Sequence, residues 1–222
     1  MKGVLFDAED VLYYRDAETL KPIISLLSKH SYSVSAEQFK DAYEKDKLSL
    51  YKGMISKDEH LKKTLEHLHI RPDDAFFHTF RDVFRSAYSE IKVAMGIKQL
   101  FKKLQLRGIK IGILTDTFPS EKKKWEWFNK IGLDGHIAAI ICSSESGFTK
   151  DQKEAYDLGA KKLGLGINDV IFVGHQRYEM LGARKAGMMS VSIVKGVGED
   201  VYLNNLHDLM PDFLNSPLSL CR

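Results

Sequence analysis

Acidic residues directly follow the first apolar segment of the chain. Val4, Leu5 and Phe6 form a short apolar run, and Asp7-Ala8-Glu9-Asp10 comes next. Closely spaced carboxylates repel one another. The carboxyl end of a strand in a parallel sheet is also where ligands bind. A carboxylate in such a place can act as a nucleophile or hold a cation. The opening of the sequence therefore predicts a chemically active turn rather than a solvated one.

Polar residues of complementary types follow three later strand candidates. The first candidate is followed by Thr115-Asp116, the second by Lys150 after a short interval, and the third by the loop from His175 to Glu179. Because parallel strands end at the same edge of a sheet, these groups are expected to converge with Asp7. The sequence thus predicts one site that combines carboxylates, a hydroxyl and a lysine.

The elements that must position this site fall into two regions. Apolar residues recur with helical spacing from about residue 16 to 91, whereas helical stretches alternate with short β-rich runs from about 92 onward. Such alternation predicts a parallel sheet with helices on both faces, to which the run 4–6 would also belong. We therefore predict an α/β core of residues 1–14 and 92–222 with an inserted all-helical domain at 15–91. The strand candidates after the insertion are 109–114, 137–142, 170–173 and 190–194, and the helix candidates are 97–107, 120–131, 151–164 and 177–186.

Composition narrows the classes of protein to consider. The chain has 222 residues, 44% of them hydrophobic, and its net charge of +3 is spread over interspersed acids and bases. This balance predicts no nucleic-acid partner and no membrane-surface partner. No apolar run approaches the ~20 residues that span a bilayer, and the N-terminal segment does not match a signal peptide. Cys142 and Cys221 are far apart and form no metal-type pair, so a reduced, cytoplasmic protein is expected.

The four strand ends, in this order, resemble those of the haloacid dehalogenase-like superfamily. Its members place a nucleophilic Asp after the first strand, a Ser or Thr after the second, a Lys near the start of a later helix, and an acidic loop after the fourth strand. Asp7, Thr115, Lys150 and the loop 174–179 match these positions, and Ala186-Gly187 before the last strand candidate strengthens the match. The resemblance covers nearly the whole chain, and it implies a Rossmann-like core with a small helical cap.

The resemblance also implies roles for individual residues. Asp7 would form a covalent aspartyl intermediate, Thr115 would hold a phosphate oxygen, Lys150 would neutralise charge, and Glu9 would take the place of the general acid. In the family's phosphatases Mg²⁺ lies on the nucleophile, on the carbonyl two residues later and on the acidic loop. Here these ligands would come from Asp7, Glu9 and Glu179. Asp116, beside the hydroxyl, and Tyr14 and Arg15, at the start of the cap, are expected to contact a small phosphorylated substrate.

The chain departs from the family pattern at four positions. Glu9 stands where the phosphatases usually carry Asp, and Asp10 stands at the usual glycine. The leading Asp of the acidic loop falls at His175, and its second Asp falls at Glu179. Glu9 is one methylene longer than Asp, and a displacement of about 1 Å can cost about 10²-fold in rate. An imidazole suits transition metals better than Mg²⁺, so binding of Mg²⁺ is expected to be weakened.

Three interpretations follow from these departures. The first is a phosphomonoesterase that retains Asp7, Thr115 and Lys150 with an altered metal site. The second is a non-catalytic relative that binds a ligand or partner. The third is a metal-independent hydrolase like the 2-haloacid dehalogenases, which Ala8 favours. Those enzymes carry an aromatic residue where Glu9 stands and an Asn where Asp116 stands, so we rank this interpretation last. The sequence does not indicate an oligomeric state.

Overall fold

The computed structural model describes residues 1–15 and 17–209. The chain divides into two compact units, one formed by Met1–Leu12 with the residues from Val93 onward, and one formed by Tyr13–Lys92. The boundaries predicted from the sequence lie at 14/15 and 91/92. Cys142 lies buried in the first unit, whereas Cys221 lies outside the described residues.

A six-stranded parallel sheet forms the centre of the first unit. Its strand order is β5-β4-β1-β6-β7-β8, and β2 and β3 form a separate two-stranded sheet. The predicted fold class, an α/β protein with a Rossmann-like parallel core and a helical insertion, is confirmed. In chain order the strands are β1 (Gly3–Phe6), β2 (Tyr13–Tyr14), β3 (Lys92–Val93), β4 (Lys110–Thr115), β5 (Ala139–Cys142), β6 (Val170–Gly174), β7 (Met189–Ser192) and β8 (Val201–Tyr202).

Strand β1 is central and completely buried, as its unbroken apolar sequence predicts for a strand covered on both faces. Phe6 lies opposite Ile113 of β4 and Val173 of β6, so the three strands end within about two residues of one another. Successive side chains point to opposite faces. Leu5 joins a buried cluster with residues of the helices that follow β5 and β6. Phe6 packs on Phe101, with ring centroids 5.2 Å apart.

The helices of this unit connect the strands. They are α6 (Ile97–Leu106), α7 (Glu121–Lys130), α8 (Ser143–Ser146), α9 (Lys153–Lys162) and α10 (Arg177–Lys185), and short 3₁₀ turns occur at Asp134–His136, Ile167–Asp169 and Leu206–Asp208. Ser120 caps α7 by accepting a hydrogen bond from the backbone N–H of Lys123. A side chain such as serine at this position satisfies an amide that the helix leaves unpaired.

The second unit is helical and has its own apolar core. Its helices are α1 (Ala17–Lys29), α2 (Ala36–Glu44), α3 (Lys47–Tyr51), α4 (Lys57–His67) and α5 (Asp74–Ser89). Aromatic residues at helical spacing on α5 line the core, including Phe76, Phe80 and Phe84. Ser56 accepts a hydrogen bond from the backbone N–H of Glu59 and caps α4. Among residues 1–15 and 17–209, no helix is both long enough and apolar enough to cross a bilayer.

Candidate active site

Asp7 is positioned by the register of the sheet. It follows β1 directly, and its backbone N–H donates to the carbonyl of Val173 in β6 at 2.8 Å. Thr115, the last residue of β4, is buried at the same edge of the sheet. The carboxylate of Asp7 is only 3% exposed, so water does little to solvate its charge. A buried carboxylate requires compensating groups, and the structure supplies them from two loops.

Lys150 is the first of these compensating groups. It lies in the turn before α9, where the backbone N–H of Thr149 donates to Oε1 of Gln152 at 3.0 Å. The Lys150 ammonium donates to Oδ1 of Asp7 at 2.5 Å and also donates to Oε1 of Glu179. All three side chains are almost completely buried. Burial opposes the charge on Lys150, but Asp7 and Glu179 raise the pKa of the ammonium well above its usual range.

Glu179 lies in the first turn of α10 and organises the loop after β6. Its Oε2 accepts hydrogen bonds from the backbone N–H groups of His175 and Gln176, both at 3.0 Å. The second oxygen accepts from Lys150, so each oxygen has a donor. Gly174 leaves room for this arrangement, because a Cβ at that position would lie 2.6 Å from the Glu179 carboxylate.

His175 contacts the second oxygen of Asp7. Its Nδ1 lies 3.2 Å from Oδ2 of Asp7 and 3.7 Å from Oε2 of Glu179. Within the described part of the chain this buried nitrogen has no hydrogen-bond partner, and its contact with Asp7 is an ion pair when the ring is protonated. Burial works against ionisation of Asp7, but Lys150 and His175 outweigh it and hold the pKa of that carboxyl well below its usual range. Asp7 is therefore an anion at physiological pH.

Asp116 supports the Lys150 turn from the end of β4. Both of its oxygens accept from the backbone N–H of Lys150, at 3.0 and 3.2 Å. The hydroxyl of Tyr178 donates to Oδ2 at 3.1 Å. Burial, partly offset by Lys150, raises the pKa of Asp116 to about 6. These contacts place Asp116 against the backbone of Lys150. Binding of substrate by Asp116 stays a prediction.

Two tyrosines that sequence reasoning missed connect these loops. Tyr178 reaches Asp116 as described above. Tyr156 of α9 places its hydroxyl 2.8 Å from the carbonyl of Lys150 and 2.7 Å from that of Glu179. Tyr178 directly precedes Glu179, and this adjacency was the only signal in the sequence for its proximity to the site. No local pattern marks Tyr156, because its partners come together only in the folded sheet.

The other residues predicted for the site lie in the turn after β1 and in the helical unit. Glu9 is partly buried in the turn after β1, and Asp10 beside it is exposed with a φ of 59°. Tyr14 and Arg15 belong to the helical unit. Tyr14 is 42% exposed, and Arg15 donates to the carbonyl of Tyr88 and lies 4.9 Å above its ring. Roles for these residues toward substrate stay predictions.

One group of side chains has the spacing of a metal site. Asp7, His175 and Glu179 each offer a ligand atom, and these atoms lie within 4.8 Å of one another. The backbone carbonyl of Glu9 as a metal ligand stays a prediction. Two carboxylates and an imidazole form a donor set that transition metals accept, whereas Mg²⁺ prefers oxygen alone. The donor set therefore fits Mg²⁺ poorly.

Comparison with known proteins assigns the family. The model of the haloacid dehalogenase-like hydrolases matches residues 1–187. The chain belongs to this family. A glyceraldehyde 3-phosphate phosphatase from Methanocaldococcus jannaschii is 31% identical over 121 residues, which are 51% of this chain and 52% of that protein. A protein of the same name from Methanopyrus kandleri is 30% identical over 113 residues, which are 50% and 47% of the two chains. The chain thus spans about half the length of the curated relatives it matches.

Solved structures of the same fold include both dehalogenases and phosphatases. The chain superposes on a dehalogenase solved as an intermediate complex, and the TM-score is 0.74. The two sequences are 19% identical, and the match covers 94% of this chain and 95% of that one. The chain also superposes on a HAD phosphatase from Thermococcus onnurineus with a TM-score of 0.60 at 23% identity, covering 94% and 96%. At these identities the similarity establishes the fold alone, so the reaction must be argued from the site.

Proposed function

We propose that this hydrolase cleaves small phosphate monoesters with Asp7 as the nucleophile. The contact between Lys150 and buried Asp7 carries this proposal. It keeps the carboxylate ionised, and a carboxylate must be ionised to attack phosphorus. The relatives that are 30 and 31% identical are named as phosphatases, which supports phosphorus rather than carbon as the reacting centre.

The proposed reaction has two steps. An oxygen of Asp7 attacks phosphorus, a phosphoaspartate forms, and the ester oxygen leaves as an alcohol after it receives a proton from Glu9. Water then attacks the phosphoaspartate and gives a proton back to Glu9, which releases inorganic phosphate and restores both the Asp7 carboxylate and the Glu9 acid. Thr115 would hold a phosphate oxygen, and Lys150 would stabilise the charge that develops in each transition state. Asp116 would contact the substrate.

Phosphate release from a panel of monoesters tests the proposal. The panel contains p-nitrophenyl phosphate together with glyceraldehyde 3-phosphate and phosphoglycolate, the compounds in the names of relatives. We expect turnover of at least one, and Asp7→Asn should lower it by about 10³-fold or more because an amide is no nucleophile. Asp157→Asn, a surface carboxylate paired with Lys153 on α9, is the matched control and should keep full activity. Undiminished activity in folded Asp7→Asn would refute the covalent mechanism.

A second candidate is a metal-independent hydrolase that attacks carbon, as the 2-haloacid dehalogenases do. It is favoured by the two basic side chains, Lys150 and His175, that contact Asp7. It is disfavoured by the carboxylate of Asp116, which would repel a departing halide. Chloride release from 2-chloropropionate without phosphate release from the panel would select this candidate. A folded protein inactive in both assays would instead support a non-catalytic binding role.

A further inference from the structure

The carboxylate oxygens that a divalent cation would use are already engaged by groups of the protein itself. Oδ1 of Asp7 and Oε1 of Glu179 both accept from the Lys150 ammonium. Oε2 of Glu179 accepts from two backbone N–H groups. Oδ2 of Asp7 faces Nδ1 of His175 at 3.2 Å. Mg²⁺ binds at about 2.0–2.1 Å and demands near-octahedral geometry, so it would have to displace these partners.

The ring of His175 faces the two carboxylates that a bridging cation would share. Its Nδ1 is 3.2 Å from Asp7 and 3.7 Å from Glu179, the two carboxylates that such a cation would share. Its Nε2 is 3.1 Å from the side-chain nitrogen of Gln176 and 3.9 Å from Oδ2 of Asp10. Both nitrogens therefore have polar neighbours, and the ring lies directly beside Asp7.

The backbone around His175 holds the ring in this position. The N–H of His175 donates to Glu179 at 3.0 Å, and a Cβ at the preceding Gly174 would lie 2.6 Å from both Glu179 and Phe172. The backbone at Gly174 therefore packs closely against the Glu179 carboxylate that holds the His175 N–H. The ammonium of Lys150 is buried against the same carboxylates. It would also repel an added cation, because charges interact more strongly in a buried site than in water.

We propose that this site works without a divalent cation, because Lys150 and His175 occupy the carboxylate oxygens that would otherwise bind one. The proposal deepens the proposed function by specifying its cofactor requirement. It predicts that removal of metal leaves turnover unchanged. It also predicts that replacing the ring of His175 with a carboxylate creates a Mg²⁺ site.

Calorimetric titration of the chelator-treated full chain tests this proposal without relying on activity. MgCl₂, MnCl₂ and ZnCl₂ are titrated separately into the wild-type protein and into His175→Asp. We expect no saturable binding of any of the three to the wild type, because Lys150 and His175 already engage the carboxylate oxygens, and saturable Mg²⁺ binding to His175→Asp. His78→Asp is the matched control, because it adds the same carboxylate at an exposed position of α5 and should gain no binding.

Two results of the titrations would overturn the proposal or part of it. Stoichiometric binding of any of the three metals to the wild type, abolished by Asp7→Asn, would overturn it. A folded His175→Asp variant without Mg²⁺ binding would overturn the role assigned to His175. If His175→Asp does not fold by circular dichroism, His175→Asn replaces it, since the amide also removes the ring and supplies an oxygen. Failure of the monoester panel would reject the phosphatase function, whereas the titration would still decide the metal requirement.

Discussion

The backbone N–H of Lys150 donates to both oxygens of Asp116, at 3.0 and 3.2 Å. Asp116, which directly follows β4, thereby holds the backbone of Lys150, and the ammonium of Lys150 contacts Asp7. Burial raises the pKa of Asp116 to about 6 from an ordinary value of 3.8. The folded protein keeps this proton at pH values where the unfolded chain has lost it. Because of this difference, Asp116 lowers the free energy of unfolding as pH rises from about 4 to about 6. Above that range the free energy stays lower by the full amount.

Asp116→Asn should remove this pH-dependent cost. The difference between the two pKa values corresponds to about 3 kcal/mol at neutral pH, and the amide replaces the hydrogen bonds only in part. We expect Asp116→Asn to be about 1–3 kcal/mol more stable than the wild type at pH 7.5, and this advantage should vanish near pH 4. Urea unfolding at both values measures it, with Asp157→Asn as the surface control. If Asp116→Asn is more stable than the wild type by the same amount at both pH values, the raised pKa of Asp116 is contradicted.

Tyr156→Phe should loosen the connection between two loops of the site. The hydroxyl lies 2.8 Å from the carbonyl of Lys150 and 2.7 Å from that of Glu179, and the side chain is fully buried. Loss of a buried hydrogen bond costs about 1–2 kcal/mol in the free energy of unfolding. We also expect kcat to fall with little change in KM, because the altered group positions Lys150 rather than substrate. Tyr202→Phe, at a half-exposed position of β8, should change neither quantity.

Gly182→Ala should be among the most damaging small substitutions in the chain. A Cβ at Gly182 would lie 1.9 Å from the carbonyl oxygen of Lys150, so α10 and the Lys150 turn would have to separate. We expect a loss of about 3 kcal/mol in stability and a marked loss of any turnover. Gly135→Ala is the matched control, because nothing lies within 4 Å of its Cβ. It should change stability by less than about 0.5 kcal/mol, and equal effects at the two glycines would refute the packing argument.

Asp10 is the position where the family usually has glycine, and its φ is 59°. Asp and Asn tolerate this left-handed conformation better than other side chains, whereas a β-branched residue does not. Asp10→Asn should therefore leave the free energy of unfolding nearly unchanged, and Asp10→Val should lower it by about 1–2 kcal/mol. Thermal unfolding distinguishes the two. A harmless Asp10→Val would mean that the turn relaxes to another conformation.

The sequence by itself determined the class of fold and the order of the main elements. The candidates 109–114 and 170–173 correspond to β4 at Lys110–Thr115 and β6 at Val170–Gly174. Their signal is local, because each strand is a run of apolar residues between turn signals. Strand β8 was missed, since the two residues Val201–Tyr202 are too few to form a pattern. Helix α8 was missed for the same reason, because Ser143–Ser146 is a single turn.

Only the tertiary structure decided how the site is held together. Lys150 and Asp7 are 143 residues apart in the chain, and the sheet brings them into contact. The sequence identified both residues by type and resemblance, and their catalytic roles stay predictions. The strand ends predicted that the His175 loop converges with Asp7, but not that Nδ1 of His175 faces Oδ2 of Asp7. The two carbonyls that Tyr156 contacts were not predicted. Such contacts depend on the directions of side chains from separate elements, and no periodicity along one segment encodes those directions.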